Sequence, residues 1–155
     1  MPEEFDFISA TDKPALLAFS TPEWMEAAKA ALTELGFKVH TAATHSDFLI
    51  RFSQFHYQVV ILEELFAANS VAENETLRTV QTMPMSQRRH ATVILFGTSF
   101  QTFTPMQAFQ QSVHAVINPS EIFLLRQLIE KAVSDNTFFL HSFREAQAAL
   151  YSEAR

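Results

Sequence analysis

Cysteine is absent from this 155-residue sequence, and glycine occurs only twice, at Gly36 and Gly97. The lack of cysteine excludes disulfides, thiolate chemistry and zinc sites with sulfur ligands. With so little glycine there is no GxGxxG, GxxxxGK or GxSxG motif, so the loops that cradle phosphates and the nucleophile elbow are missing. The sequence therefore argues against a Rossmann dehydrogenase or a hydrolase.

Positive charge is also scarce, with 11 Lys and Arg against 17 Asp and Glu and a net charge of -6. Because a phosphate backbone attracts basic surfaces, nucleic acid is not expected as a partner. The only basic cluster, Arg88, Arg89 and His90, is expected to be a solvated loop. Hydrophobic residues make up 48% and charged residues 18%, which predicts one compact domain rather than a disordered segment.

Long apolar segments are missing too, since none approaches the roughly 18 apolar residues of a membrane helix. Residues 1–13 are acidic where a signal peptide is basic and apolar. These features predict a cytoplasmic protein without membrane contact.

The histidines form no i, i+4 pair and no HExxH motif, so no metal site is expected. They are His40, His45, His56, His90, His114 and His141.

Short apolar runs alternate with helical patterns between residues 14 and 133. The first helix is predicted to begin at Thr21 and Pro22 and to end before Gly36, and the fourth to begin at Thr104 with capping-box spacing to Gln107. Residues 85–90 are predicted to be a loop. The predicted strands are residues 15–19, 38–42, 58–62, 92–96 and 114–117. This alternation predicts an α/β fold, a doubly wound parallel sheet covered by helices on both faces.

Ligands of such sheets bind at the carboxyl ends of the strands. Here that edge comprises Phe19-Ser20, Glu63-Glu64, Phe96-Gly97 and Asn118-Pro119. The order and lengths of the elements, the segments 35–39 and 58–63, and Asn118-Pro119 resemble the receiver domain of bacterial response regulators. The resemblance covers residues 14–133 and implies a flavodoxin-like, five-stranded parallel sheet in the order 2-1-3-4-5.

The sequence departs from the receiver family at its chemical positions. In the family, strand one ends in an acidic pair that binds magnesium, strand three in the phosphoacceptor aspartate, strand four in Thr or Ser, and strand five in Lys-Pro. The corresponding residues here are Phe19 and Ser20, Glu63, Phe96 (or Gly97), and Asn118, and only Pro119 remains. The resemblance thus implies a degenerate receiver without metal, cofactor or aspartyl-phosphate chemistry, and not an enzyme.

Two interpretations of Glu63 compete. A permanent carboxylate would imitate the phosphorylated state, whereas a solvated acid at a strand end would have no such role. The second is favoured, because a mimic needs a hydroxyl and a cation, and Phe96 and Asn118 supply neither.

Five phenylalanines map to the same edge: Phe19, Phe66, Phe96, Phe100 and Phe103. We expect their rings to plug the former active site, each burying apolar area that contributes on the order of 2 kcal/mol. The alternative is an open pocket for a small apolar ligand.

The segment Ser134-Asp135-Asn136 is predicted to break the helical pattern, which divides the chain into an arm (1–13), a receiver-like domain (14–133) and a further helix (134–155). That helix carries an apolar stripe of Phe139, Phe143, Ala146 and Leu150. The stripe must fold back or meet another chain, and we favour a homodimer. A second predicted surface, on the face that commonly contacts partners in response regulators, comprises Met106, Phe109 and Val113.

Three functions remain open at this point. The favoured one is a phosphorylation-independent receiver that acts as a protein-interaction module in bacterial signal transduction or regulation. The second is a sensor for a small apolar ligand at the Phe-rich edge. The third is an enzyme of unrecognised type that uses Glu63, Glu64 or a histidine.

Overall fold

Five parallel strands form one sheet in the order β2-β1-β3-β4-β5 in a computed structural model, which describes residues 7–153. The predicted flavodoxin-like order is confirmed. The strands are β1 (Lys13–Ala18), β2 (Phe37–Ala42), β3 (Val59–Glu63), β4 (Thr92–Phe96) and β5 (Ala115–Ile117). The helices are α1 (Pro22–Glu34), α2 (His45–Gln54), α3 (Glu75–Thr82), α4 (Met85–Arg88), α5 (Pro105–Gln110) and α6 (Leu125–Glu153), with 3-10 turns at Val71–Glu73 and Pro119–Leu124.

The central strands β3 and β4 are buried along their whole length. Because side chains alternate along a strand, they supply two cores. Ile61 and Ile94 face the core beneath α1 and α6, and Val60 and Leu95 face the core beneath α2 and α3. Helices on both faces explain why these strands are almost continuously apolar.

Helix α1 begins and ends where the sequence predicts, but its cap differs. Pro22 is the first helical residue, and Gly36, with φ of +88°, ends the segment. Thr21 occupies the N-cap position without a side-chain capping hydrogen bond. The capping box predicted at Thr104 is not formed either, because its hydroxyl donates to the Gln101 carbonyl instead. Spacing alone therefore placed both helices correctly but not their capping contacts.

The predicted loop at residues 85–90 contains a short helix, α4 (Met85–Arg88). Pro84 precedes it at the N-cap position, with φ of -58°. Proline suits the start of a helix, so Pro84 is a sequence signal for α4 that the predicted loop left out.

Helix α6 runs without interruption through residues 134–136, so the predicted break is wrong. Ser, Asp and Asn disfavour helix interiors because their side chains compete for the backbone. Here Asn136 is buried and its amide donates to the Thr92 hydroxyl, while Asp135 pairs with Lys131 one turn earlier. Beyond Asn136 the side chains of α6 are exposed, apart from half-buried Leu140. The division of the chain into three parts stays a prediction.

The helices among residues 7–153 include none that is long and apolar enough to cross a membrane.

Candidate functional site at the carboxyl ends of the strands

The carboxyl edge of the sheet brings the predicted site residues together. Glu63 and Phe96 are paired across β3 and β4, and the Phe19 and Phe96 rings lie 5.5 Å apart. The backbone N–H of Ser20 lies 3.3 Å from the Glu63 carboxylate. Asn118 lies one strand further, after β5, and contacts the loop that follows β4.

The Glu63 carboxylate is buried, with 4% of the residue exposed. Its Oε1 accepts hydrogen bonds from the backbone N–H groups of Ser20, at 3.3 Å, and Thr21, at 3.0 Å. Because the first N–H groups of a helix lack intrahelical partners, an acid here satisfies donors and complements the positive end of α1. The expectation of a solvated acid is therefore wrong. The carboxylate thus binds the N–H groups of the N-cap residue Thr21 and of Ser20 before it, which are not the ones that a Thr21 side chain would cap.

Ser20 connects the loops after β1 and β3. Its hydroxyl accepts a hydrogen bond of 2.7 Å from the backbone N–H of Ala67, which adopts a positive φ of 48°. His45 supports the same loop, with Nε2 3.3 Å from the Ala67 carbonyl and Nδ1 2.8 Å from the Thr76 hydroxyl. At a position where the receiver family carries an acid, Ser20 instead binds the loop that follows β3.

Asn74, which was not predicted to belong to the site, lies almost fully buried. Its amide nitrogen donates to the carbonyls of Glu63, at 3.1 Å, and Glu64, at 3.0 Å. Its side-chain oxygen caps α3 by accepting from the Leu77 N–H at 3.0 Å. An asparagine just before a helical pattern is an N-cap signal, and that signal was available.

The Glu64 side chain fills the space beside Gly97, the residue that follows β4. It is buried, and its Oε1 accepts from the Ser99 N–H at 3.2 Å. A Cβ placed on Gly97 would lie 2.2 Å from that oxygen and 2.5 Å from the Glu64 Cβ. Glycine is required here for space, since Gly97 is not among the residues with positive φ. Of the two positions that could carry the hydroxyl of a receiver, Phe96 is a buried ring and Gly97 has no room for a side chain.

Asn118 uses its amide in local contacts. The nitrogen donates to the Phe100 carbonyl at 2.7 Å, and the oxygen accepts from the Ser120 N–H at 2.8 Å. Its backbone N–H donates to the Thr102 hydroxyl at 2.9 Å. A neutral side chain held in this way supplies no positive charge where the receiver family has lysine.

The magnesium site of the receiver family does not fit these residues. The Oε1 atoms of Glu63 and Glu64 accept hydrogen bonds from backbone N–H groups, whose partial positive charge opposes a cation. Phe19 offers no oxygen on its side chain, and Ser20 directs its hydroxyl oxygen to Ala67. Within residues 7–153, no group of three histidines or acids could hold a metal ion.

The phenylalanines at this edge belong to both cores. Phe19 and Phe96 are buried on the α1 side, where Trp24 also lies 5.3 Å from the Phe96 ring, and Phe66 and Phe100 are buried on the α2 side. Phe103 is half-buried. The neighbouring cavity, about 300 Å³, has mostly polar walls: Glu64, Val71, Ser99, Phe100, Gln107, Gln110 and Gln111. Buried rings are what a plug requires, so these contacts favour the plug over an open apolar pocket.

The predicted interaction residues are mostly exposed. Met106 and Phe109 project from α5, and Val113 is half-buried. Phe109, Val113 and His114 line a cavity of about 490 Å³. His114 and Phe139 line another, of about 350 Å³. His114 therefore joins the α5 surface to α6. Phe143 and Leu150 are exposed further along α6.

No protein-family model matches the sequence, and no curated protein matches it. Solved structures do resemble its fold. NtrX from Brucella abortus, in complex with ADP, gives a TM-score of 0.65 at 13% identity and is matched over 86% of this chain and 29% of its own. This chain thus spans less than a third of NtrX.

Two smaller proteins are matched over nearly their whole length. The CheY-like receiver domain protein from Methanospirillum hungatei gives a TM-score of 0.63 at 15% identity, over 82% of this chain and 98% of its own. HP1043, an orphan response regulator of Helicobacter pylori, gives a TM-score of 0.60 at 15% identity and is matched over 81% of this chain and 99% of its own. The strand order, the helices on both faces and these neighbours lead to one conclusion: this chain has the fold of a response-regulator receiver domain, extended by a long C-terminal helix.

Proposed function

We propose that this chain is a phosphorylation-independent receiver that acts as a protein-interaction module in bacterial signal transduction or regulation, and that it forms a homodimer through α6. The observation that carries the proposal is the uncovered apolar stripe of α6. Phe139 and Leu150 are 65% and 67% exposed, on a helix that extends past the sheet.

The independence from phosphorylation rests on the contacts at the carboxyl edge. Phosphoryl transfer depends on a metal ion and on cations that neutralise the transferring oxygens. Glu63 is engaged by two backbone N–H groups, Gly97 leaves no room for a hydroxyl side chain, and Asn118 is neutral. Incubation with acetyl phosphate and Mg²⁺, followed by intact mass measurement, is expected to leave the chain unmodified. A conventional receiver domain treated in parallel is the positive control, and a phosphorylated product of this chain would refute the independence.

The dimer proposal rests on the spacing of the stripe. Positions three and four residues apart run along one face of α6: Ile129, Ala132, Asn136, Phe139, Phe143, Ala146 and Leu150. The first three are buried against the domain, and the exposed part continues the same row. A repeat of this period is typical of helices that pair as coiled coils.

The residues that flank the exposed stripe favour a second copy of the same helix. In the coiled-coil register the flanking positions are Leu140, Ser142, Gln147 and Ala149. None carries a charge, so two identical helices meet without like-charge repulsion. Small side chains at Ala146 and Ala149 also permit close approach.

Light scattering and sedimentation test the dimer. We expect the unaltered chain to be a dimer and the double variant Phe139→Ser/Leu150→Ser to be a monomer with unchanged folding. Phe123→Ser is the matched control, because Phe123 is 78% exposed in the turn before α6, far from the stripe. A monomeric unaltered chain, or a double variant that remains dimeric, would refute this interface.

A further inference from the structure

A second candidate site lies at the opposite edge of the sheet, where the loops that precede β3 and β4 meet. His56 precedes β3 and His90 precedes β4, and their rings stack with centroids 3.7 Å apart and planes at 24°. The proposed interaction module and its dimer involve neither histidine. Both line a cavity of about 570 Å³, a size typical of small-molecule sites.

The two histidines end a column of stacked rings. Phe48 stacks on Phe52 at 5.6 Å and 10°, and Phe52 stacks on His90 at 5.6 Å and 28°. Phe48 is fully buried, which anchors the column in the core, whereas His56 at the other end is exposed. A further flat ring can extend the column at its exposed end, where offset stacking is favourable.

The cavity also has a polar group without a partner. The Nε2 atom of His90 is buried and forms no hydrogen bond within residues 7–153. Burial and the neighbouring His56 lower the pKa of His90 to about 4, so its ring is neutral at pH 7. A neutral imidazole can donate or accept one hydrogen bond, and a buried ring nitrogen without a bond is unfavourable until a ligand supplies one.

An adjoining cavity, about 270 Å³, gives the site its charge. It shares His56, Ser86 and His90 with the larger cavity and adds Arg89 and Arg144. Within residues 7–153, neither guanidinium forms an ion pair. Among the residues that the structure describes, none with a carboxylate lines either cavity. In a chain of net charge -6, this is a local reversal of sign that favours an anion.

We propose that the joined cavities bind a small planar aromatic anion, whose ring stacks at His56 in the larger cavity and whose anionic group lies between Arg89 and Arg144. The apolar part of the larger cavity is supplied by Leu49, Phe52, Phe55 and Met83. A guanidinium pairs with a carboxylate through two parallel hydrogen bonds, so a ring carboxylate suits both halves of the site. The smaller cavity borders the proposed dimer interface, because Phe143 of the stripe and its flanking residues Leu140 and Gln147 line it. Neither Phe139 nor Leu150 lines either cavity, so the double variant Phe139→Ser/Leu150→Ser should still bind the anion, which separates this proposal from the dimer.

The test uses 2-naphthoate as the probe and its neutral analogue 2-naphthamide as the comparison. Titration with 2-naphthoate is monitored by its fluorescence and by the imidazole NMR signals of the protein. We expect saturable binding that shifts the His56 and His90 signals, and binding of 2-naphthamide on the order of tenfold weaker, which corresponds to one ion pair. The double variant Arg89→Gln/Arg144→Gln should weaken 2-naphthoate by a similar factor and leave 2-naphthamide unchanged.

The control variant is Arg126→Gln, which removes an exposed arginine that pairs with Glu34 outside the site. It should bind 2-naphthoate as the unaltered chain does. Equal affinity for the two probes, or an arginine double variant that binds 2-naphthoate normally, would overturn the proposal. It would also be overturned if Zn²⁺, and not 2-naphthoate, shifted both histidines, or if those signals changed only with protein concentration, as an inserted side chain of a second copy would cause.

Discussion

The amide of Asn136 donates a hydrogen bond of 2.8 Å to the hydroxyl of Thr92, across 44 residues of sequence. Both residues are buried, with 7% and 3% exposed. The bond joins the middle of α6 to the first residue of β4. It therefore marks the point at which the helix stops packing on the sheet and begins to project from it.

Replacing either partner should destabilise the chain by about 1–3 kcal/mol, because the other is left buried without its hydrogen bond. In urea unfolding of Asn136→Ala, Thr92→Val and the double variant, we expect the double variant to lose less than the two single losses combined. Asn69→Ala, at an exposed position, is the control and should cost little. Strict additivity would mean that the bond contributes nothing.

The Glu63 carboxylate should stabilise the start of α1. Glu63→Ala leaves the N–H groups of Ser20 and Thr21 without their acceptor, at a cost of about 2 kcal/mol. Glu63→Gln keeps an acceptor and loses only the charge at the helix end, about 0.3–1 kcal/mol. Glu26→Gln, exposed on α1, serves as control in the same denaturation series.

Glu63→Gln also separates the two interpretations of this residue. We expect its oligomeric state in sedimentation to equal that of the unaltered chain, since the carboxylate acts on α1. A large loss of self-association without unfolding would instead support the imitation of a phosphorylated state.

Gly97→Ala should be destabilising by about 1–3 kcal/mol through overpacking. Combining it with Glu64→Ala should restore little stability, because the Cβ of residue 64 remains only 2.5 Å from the new methyl group. Combining it with Glu64→Gly should restore more. Gly36→Ala is the control: its Cβ would have neighbours at 3.7 Å, so its cost is backbone strain at φ +88° that no change at residue 64 relieves. Equal restoration by both changes at residue 64 would contradict the proposed clash.

The stability of the chain should fall as the pH decreases from about 6.5 to about 4. Burial and His56 lower the pKa of His90 from 6.5 to about 4, so in this window the unfolded chain binds the proton more readily than the folded chain. Burial and Arg88 lower the pKa of His114 in the same direction. Below the pKa of His90 in the folded chain, about 4, its contribution to stability is completely lost. Above pH 6.5, the pKa in the unfolded chain, that contribution is fully present.

Urea unfolding at several pH values measures this dependence. His90→Phe should flatten the curve and leave a residual slope from His114, whereas His141→Gln, exposed on α6, should leave the slope unchanged. A His90→Phe variant with the slope of the unaltered chain would show that the ring at position 90 does not titrate differently on folding.

The strands were predictable because each is a short apolar run between breaking residues, and residues 92–96 match β4 in both bounds. The gathering of Phe19, Ser20, Glu63 and Phe96 followed from the direction of parallel strands. The role of Glu63 did not, because the N–H groups that donate to its carboxylate lie on a loop 42 and 43 residues away. The continuity of α6 was missed for the same reason: the partner that makes Asn136 acceptable in a helix is remote in sequence.

Gly97 and His90 illustrate a further limit of sequence reasoning. The need for glycine at position 97 comes from the side chain of Glu64, just after the neighbouring strand β3, and not from a positive φ at position 97. The Arg88-Arg89-His90 cluster resembled an ordinary polar loop, and only the fold places His90 on His56 and Arg89 near Arg144.

Because α6 is one unbroken helix, it is also a lever. The 17 residues from Thr137 to Glu153 span about 25 Å at the helical rise, so a tilt of about 10° at Asn136 moves the tip by about 4 Å. The helix is fixed at the Asn136–Thr92 contact, and its part before Asn136 packs against the sheet through Ile129 and Ala132. A rigid helix would carry a change in packing beneath Ile129 and Ala132 to its exposed end as a larger displacement.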